Sequence, residues 1–501
     1  MDSLFSPLLI ALSLIGFTGF LLLRSGSRRR RLPPGPKPLP IIGNFLQLGK
    51  KPYETLASLA KTHGPLMSIH LGSLYTVIVS SPEMAKELLQ HHGQVFSGRT
   101  VAQVMQARDL HKLSMAFTPT GKEWRDKRKI CKEQVFSERS LEGSEALRQE
   151  KLQQLLQHVQ RHCDRGDVVD LHDALLITNL NLMLTTLFST RSPDFESAVT
   201  REFKEIVEVI AVAVAVPNFA DYFPILKPFD PQGIKHKAEL YFGKLFQKFE
   251  AFLDHRLESR RKNPGAPREQ DLLETLVDIS QGNEYNLTIQ DIPYLLFDLF
   301  VGGSETNTTS IEWIMTELLF HPDKLRKLKE ELNSVVGENE QIRESDIPRL
   351  PYLQAVVKET LRYHPPGPLL LPRRSEADQE VNGCMIPKGA QILFNVWAMG
   401  RDPSIWENPE SFEPERFLNK KVDFKGLHYE LIPFGAGRRI CPGMPLATRI
   451  LQMTVAVLVH NFEWKLEREK DHADHKGEVL GVALRREVPL RAIPYPKIFY
   501  T

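Results

Sequence analysis

One cysteine most constrains what this chain can fold into. Cys441 stands in Phe434-Gly435-Ala436-Gly437-Arg438-Arg439-Ile440-Cys441-Pro442-Gly443, a run of glycines and arginines directly before an apolar segment of helical period. Glycines let the backbone turn tightly around a sulfur and aim N–H groups at it. Residues 445 to about 460 predict a helix, which puts Cys441 just ahead of a helix N-terminus, a position that favours a negative sulfur. A lone thiolate is one of the few axial ligands used for haem iron. Arg438 and Arg439 add positive charge, and one of them could meet a haem propionate. Two other chemistries fail on spacing. A dinucleotide fingerprint requires a third glycine where Ile440 stands. An iron–sulfur cluster requires about four cysteines close together. The remaining cysteines, Cys131, Cys163 and Cys384, are distant in sequence and form no CxxC, which also argues against a zinc site or a disulfide framework. The plainer alternative is a buried structural cysteine.

The spacing Phe-x-x-Gly-x-Arg-x-Cys-x-Gly resembles the haem-binding loop of the cytochrome P-450 monooxygenases. The resemblance implies a mainly α fold with a small β lobe, preceded by one transmembrane helix, and a haem b (iron protoporphyrin IX) between a long central helix and the cysteine loop. It makes Cys441 the axial iron ligand, with Phe434, Gly437, Arg439 and Gly443 as the other family positions of that loop.

The chain divides into three parts: 1–23 as a membrane anchor, 24–40 as a basic and proline-rich hinge, and 41–501 as the catalytic domain. Residues 4–23 are charge-free and rich in Leu, Ile and Phe, and Arg24 and Arg28 to Arg31 follow them. As a helix such a run spans about 30 Å, enough for a bilayer core. Basic residues on its C-terminal side place that side in the cytosol. A cleaved signal peptide is the alternative, but the run is long and no small-residue cleavage site follows it. Leu32-Pro33-Pro34-Gly35-Pro36 stops the helix and stiffens the link. An endoplasmic reticulum location with a cytosolic catalytic domain follows from the family resemblance. The net charge is only +2, so composition suggests no nucleic-acid binder.

Residues 67–80 predict a β-hairpin broken at Gly72-Ser73, and 386–397 predict another. Residues 94–121 read as a long loop with short helical pieces. Trp124 and Arg128 stand at i and i+4 of a helix, either as a surface stack or, by the resemblance, as partners of a haem propionate. Residues 151–260 are helical in pattern, with an apolar stretch over 206–216 that the family places as a roof of the active site. Residues 288–320 predict the longest helix, capped by Thr288 or Asp291. Its middle, Gly302-Gly303-Ser304-Glu305-Thr306-Asn307-Thr308, carries two glycines that each cost about 1 kcal/mol relative to alanine. A flat ligand beside a broken helical hydrogen bond accounts for them, and a plain kink is the alternative. The segment is similar to the family's oxygen-activation motif except at Asn307. The resemblance makes Thr306 the oxygen-side hydroxyl and Glu305 the acid that supplies protons.

Glu359 and Arg362 are i, i+3 on a helix over 351–362. The family joins them with Arg416 of Pro414-Glu415-Arg416-Phe417 into a structural network. By the same resemblance Arg373 meets a propionate, and Gly302, Leu369, Leu370, Val479 and Val482 line the substrate pocket.

No flavin or nicotinamide motif is present, so the electrons of an NADPH- and O2-dependent reaction must come from a separate flavoprotein, NADPH-cytochrome P-450 reductase. Lys127, Lys129, Lys420, Lys421, Lys425 and Arg438 read equally as its docking face and as a solvated charged face. Residues 64–75, 217–233 and 300–304 resemble the diterpene-oxidising plant members of the mint family. That implies a hydrophobic terpenoid substrate, an abietane such as miltiradiene or ferruginol. A labdane such as manoyl oxide or a monoterpenol such as geraniol is the alternative. Two other classes remain: a haem-thiolate isomerase or dehydratase acting on a peroxide, and a membrane-anchored haem sensor. The retained Glu305 and Thr306 argue against the first.

Overall fold

A computed structural model describes residues 31–190, 194–265, 267–282, 284–338, 340–467 and 477–497. The membrane anchor expected over 1–23 lies outside them. The hinge from Arg31 onward is laid against the β lobe. Ser68 donates its amide to Pro34 O at 2.8 Å and its hydroxyl to Pro33 O at 2.7 Å. A Cβ on Gly35 would lie 1.8 Å from Ser68 O, so the close approach requires glycine there.

The predicted long helix is present as a short turn, Ile289–Asp291, running into the α-helix Ile292–Phe320. The Thr288 amide and hydroxyl both donate to Asp291 Oδ2, at 3.0 and 2.7 Å, which satisfies the exposed start of the helix. His321 closes it, and Pro322 begins the next helix, Pro322–Val336.

Two cores bury the two ends of this helix. Toward its start, Phe297 and Phe300 pack among Phe203 on Ala198–Ala215 and Phe242, Phe246 and Phe249 on Ile234–Lys262. Toward its end, Ile311, Ile314, Met315 and Leu318 pack among Leu155 of Glu145–Arg165, Leu353 and Val357 of Pro351–Tyr363, and Val455 and Leu458 of Met444–Asn461. Each fully buried side chain of this size contributes about 1.5–3 kcal/mol. The stretch 302–306 falls between the two cores.

Leu171–Phe188 packs along the central helix and is apolar on nearly every face. Among the described residues it is the one helix long and apolar enough to cross a bilayer. Because 83% of it is buried within the protein, it is a core helix.

The β lobe is a five-stranded sheet in the order Leu66–Leu71, Leu74–Val79, Gln391–Phe394, Arg373–Arg374, Gly98–Arg99. Its first two strands form the predicted hairpin. The second predicted hairpin does not form. Cys384–Ile386 pairs instead with Gln379–Val381 through a turn at Asn382 and Gly383, both at positive φ. Gln391–Phe394 joins the larger sheet, parallel to Leu74–Val79. The Asn-Gly dipeptide is the local sequence signal for this turn.

Candidate active site

The cysteine loop is closed by the Cys441 amide donating to Phe434 O at 2.9 Å. Gly437 has φ +65°, and a Cβ on it would lie 2.4 Å from Leu89 O, so both conformation and space demand glycine. Gly443 caps the helix Met444–Asn461. Burial pushes the Cys441 thiol up, opposed by the Gly443 and Met444 amides aimed at Sγ and by Arg128. A coordinated metal deprotonates such a thiol outright, so the amides and the guanidinium favour the metal-bound form. Phe434 packs against Phe424 with ring centroids 5.3 Å apart.

Four arginines, Arg99, Arg128, Arg373 and Arg439, influence one another here without a carboxylate bonded to any of them among the described residues. Burial lowers all four. Arg439 adds to the fall of Arg373, to about 9, and Arg128 to that of Arg439, to about 10. Arg439 donates to the carbonyls of Ser97 at 3.0 Å, Met115 at 3.1 Å and Thr118 at 2.5 Å, and lies 4.9 Å over the Trp124 ring. Arg373 donates to Ala436 O at 3.0 Å, and Arg99 to Ala116 O at 3.0 Å and Leu371 O at 2.8 Å. Arg128 lies 5.8 Å over Trp124, whose buried Nε1 has no hydrogen-bond partner. Mutually repelling buried cations beside an orphaned indole N–H fit a dianionic group such as the two haem propionates. Arg99 has no sequence signal of its own, because a lone arginine in a two-residue strand carries no motif.

The central helix continues unbroken through 302–306, which corrects the expected break in its hydrogen bonding. Thr306 Oγ1 donates to Gly302 O at 2.7 Å. Asn307, the departure from the motif, donates its side-chain amide to Gly303 O at 2.9 Å. A Cβ on Gly302 would meet nothing within 4 Å, whereas one on Gly303 would lie 3.0 Å from Met183 Sδ. One glycine leaves space open, and the other allows two helices to approach. Glu305 is buried, and burial raises its carboxyl against the opposing pull of His172 and Arg485. It borders a small cavity with Val207, Ile210, Val301 and Val482.

Val482 lies in the turn between Glu478–Leu480 and Leu484–Arg486. Val479 is half-exposed. Leu369 packs on the β-lobe cluster of Leu56, Met67 and Ile69, and Leu370 packs on the neighbouring cluster that includes Ala436. Lys127 is buried, bonded to Leu113 O and Asp291 at 2.7 and 2.8 Å, so it cannot belong to a basic surface.

Glu359 accepts from Arg362 Nε at 2.7 Å, Arg416 Nε at 3.1 Å and the Glu413 amide at 2.8 Å. Arg362 also bonds the carbonyls of Gly400, Pro409 and Ser411, and Arg416 that of Glu407. The network therefore fastens the irregular segment 400–413 rather than bonding the cysteine loop itself.

The cytochrome P-450 family model matches residues 33–490. The chain is a cytochrome P-450. This cytochrome P-450 is 65% identical to a ferruginol synthase of Isodon rubescens over 97% of its own length and 98% of the relative's. It is 61% identical to a sugiol synthase of Salvia miltiorrhiza over 94% and 96%. A zebrafish cytochrome P-450 solved with progesterone superposes with a TM-score of 0.75 at 25% identity, over 89% of this chain and 99% of that one. As a cytochrome P-450 the protein is a haem-thiolate monooxygenase, and it needs haem, O2, a redox partner and a hydrophobic substrate.

Proposed function

We propose that this cytochrome P-450 hydroxylates an abietane diterpene, with miltiradiene or ferruginol as substrate, using electrons from NADPH-cytochrome P-450 reductase. The observation that carries this reading is 60–65% identity to ferruginol synthases over nearly the whole chain.

The geometry supports the following residue roles. Cys441 would hold the haem iron as thiolate, and Arg128, Arg373, Arg439 and Trp124 would hold the propionates. The bound haem supplies O2 activation. Glu305, kept protonated more readily by its burial, passes protons toward the Thr306 hydroxyl, which orients them at the oxygen side. The apolar residues Val207, Ile210, Val301 and Val482 exclude water and bind the hydrocarbon.

The protein works at the endoplasmic reticulum membrane. Support comes from one exposed apolar face. Ile41, Ile225 and Phe229 are 85%, 80% and 76% exposed. Phe45 touches Phe219 and Tyr222 at ring centroids 5.8 and 5.2 Å apart, which brings the hinge end beside the segment that follows the apolar stretch 206–216. Side chains of this kind insert into the lipid headgroup boundary and give an oily substrate a short path.

The deciding experiment is co-expression with a plant reductase and a panel of diterpene olefins, with products identified by mass. Ferruginol from miltiradiene, or oxidation of ferruginol itself, supports the reading. Products from manoyl oxide or geraniol alone, or from a peroxide without NADPH, overturn it. In the same membranes Cys441→Ala abolishes the thiolate-type carbon monoxide difference spectrum; a surviving spectrum removes Cys441 as ligand.

A further inference from the structure

His364 follows the helix Pro351–Tyr363 and is buried between two carboxylates. Its Nε2 lies 2.7 Å from Glu317 Oε1 on the central helix, and its Nδ1 lies 2.8 Å from Glu478 Oε1 on the first strand of the C-terminal hairpin. Glu478 Oε2 accepts from the Tyr53 hydroxyl at 3.2 Å. The Trp313 indole lies flat on the imidazole, with centroids 3.7 Å apart and planes 5° apart. Its Nε1 donates to Leu484 O at 2.9 Å on the second strand, and the Leu484 amide donates to Pro366 O at 2.8 Å. Both strands of the hairpin are thus tied to one buried ring and its flanks.

This hairpin cannot hold itself in place. Its ladder has three residue pairs: Glu478 with Arg486, Val479 with Arg485, and Leu480 with Leu484. An isolated two-stranded ribbon is marginally stable at best. Two buried carboxylates around one ring are a costly way to fill space, since apolar side chains of similar volume often do so at no loss of stability. What the charged cluster adds is a fixed position. Hydrogen bonds of this kind hold direction and distance, which apolar packing does not. The turn between the strands carries Val482, which faces Glu305, Val301, Val207 and Ile210 across the cavity.

We infer that His364 is a positioning residue for the oxidation: through Glu317 and Glu478 it sets where Val482 meets the substrate, and so which carbon is presented. The inference rests on the monooxygenase assignment and on the cavity as substrate pocket, not on the identity of the diterpene.

The test uses the full chain as holoenzyme with its reductase. His364→Gln and Glu478→Gln are compared with Val482→Ala by product ratio, by carbon monoxide spectrum and by amide hydrogen exchange. The expected result is a change of about fivefold in product ratio per haem for each variant, with no further change when Val482→Ala is combined with either. Exchange over 477–487 should rise about tenfold while the central helix stays protected. An unchanged product ratio with the spectrum retained overturns the proposal, as does exchange that rises equally throughout the core. If His364→Gln does not fold, Glu478→Gln decides, because it keeps the shape while removing the charge and one of the two acceptor oxygens. If the unaltered chain oxidises no diterpene, the substrate reading fails, and local exchange over the hairpin decides the positioning role alone.

Discussion

The Asp298 carboxylate on the central helix accepts from the Ser114 hydroxyl at 2.5 Å and from the Met115 amide at 2.6 Å. It fastens the helix to the loop whose carbonyls, at Met115 and Ala116, hold Arg439 and Arg99. Burial pushes this carboxyl up to about 6, above its usual range. A raised folded-state value means that the group's contribution to stability is complete below the unfolded value and is lost as pH rises through about 6. Asp298→Asn cannot titrate. The stability of the native chain relative to Asp298→Asn should therefore fall between pH 4 and pH 6 and stay level above that, as read by thermal unfolding.

Arg128 and Arg439 should separate in their effects. Arg439 gives three of its five N–H donors to backbone carbonyls, which leaves two for an anion. Arg439→Ala should lower folding stability by roughly 1–3 kcal/mol, the cost of leaving buried acceptors unpaired. Arg128 makes no hydrogen bond among the described residues and stays available to an anion. Arg128→Ala should leave the melting temperature nearly unchanged and speed haem transfer to apomyoglobin about tenfold, the loss expected for one charge-assisted bond.

Thr306→Ala removes a hydroxyl already satisfied within its own helix. The fold should tolerate it. Product per NADPH consumed should fall by roughly a hundredfold, the lower end of what a positioned proton donor contributes, with hydrogen peroxide rising to match. Unchanged coupling removes Thr306 from the relay.

Glu359→Gln takes the carboxylate from between two buried guanidiniums. Removing one partner of a buried ion pair costs roughly 3–5 kcal/mol. Holoenzyme yield should collapse and the residual protein should melt earlier, although among the described residues Glu359, Arg362 and Arg416 bond no residue of the candidate haem cradle.

The sequence carried the parts of the site that sit on strong local patterns. The cysteine loop, the glycine-bearing helix and Glu359 with Arg362 each combine a residue type with a spacing that the backbone enforces. What it did not carry depends on tertiary burial. Lys127 looks like any surface lysine until Asp291 and Leu113 enclose it. Arg99 and His364 gain their meaning from partners far away in the chain. The second hairpin was misplaced for a local reason: β-branched and apolar residues after Gly389 outweighed the Asn382-Gly383 turn, and strand pairing there is decided by the larger sheet.

The two adjacent glycines of the central helix differ in how freely they can vary. A methyl group at Gly302 would enter open space, while one at Gly303 would press on Met183. If Gly302 lines the pocket as proposed, substitution there takes room from the substrate and leaves the helix packing intact, whereas substitution at 303 presses on that packing. On that proposal, change at the first position would alter which hydrocarbon fits, while change at the second would first have to displace the Met183 side chain.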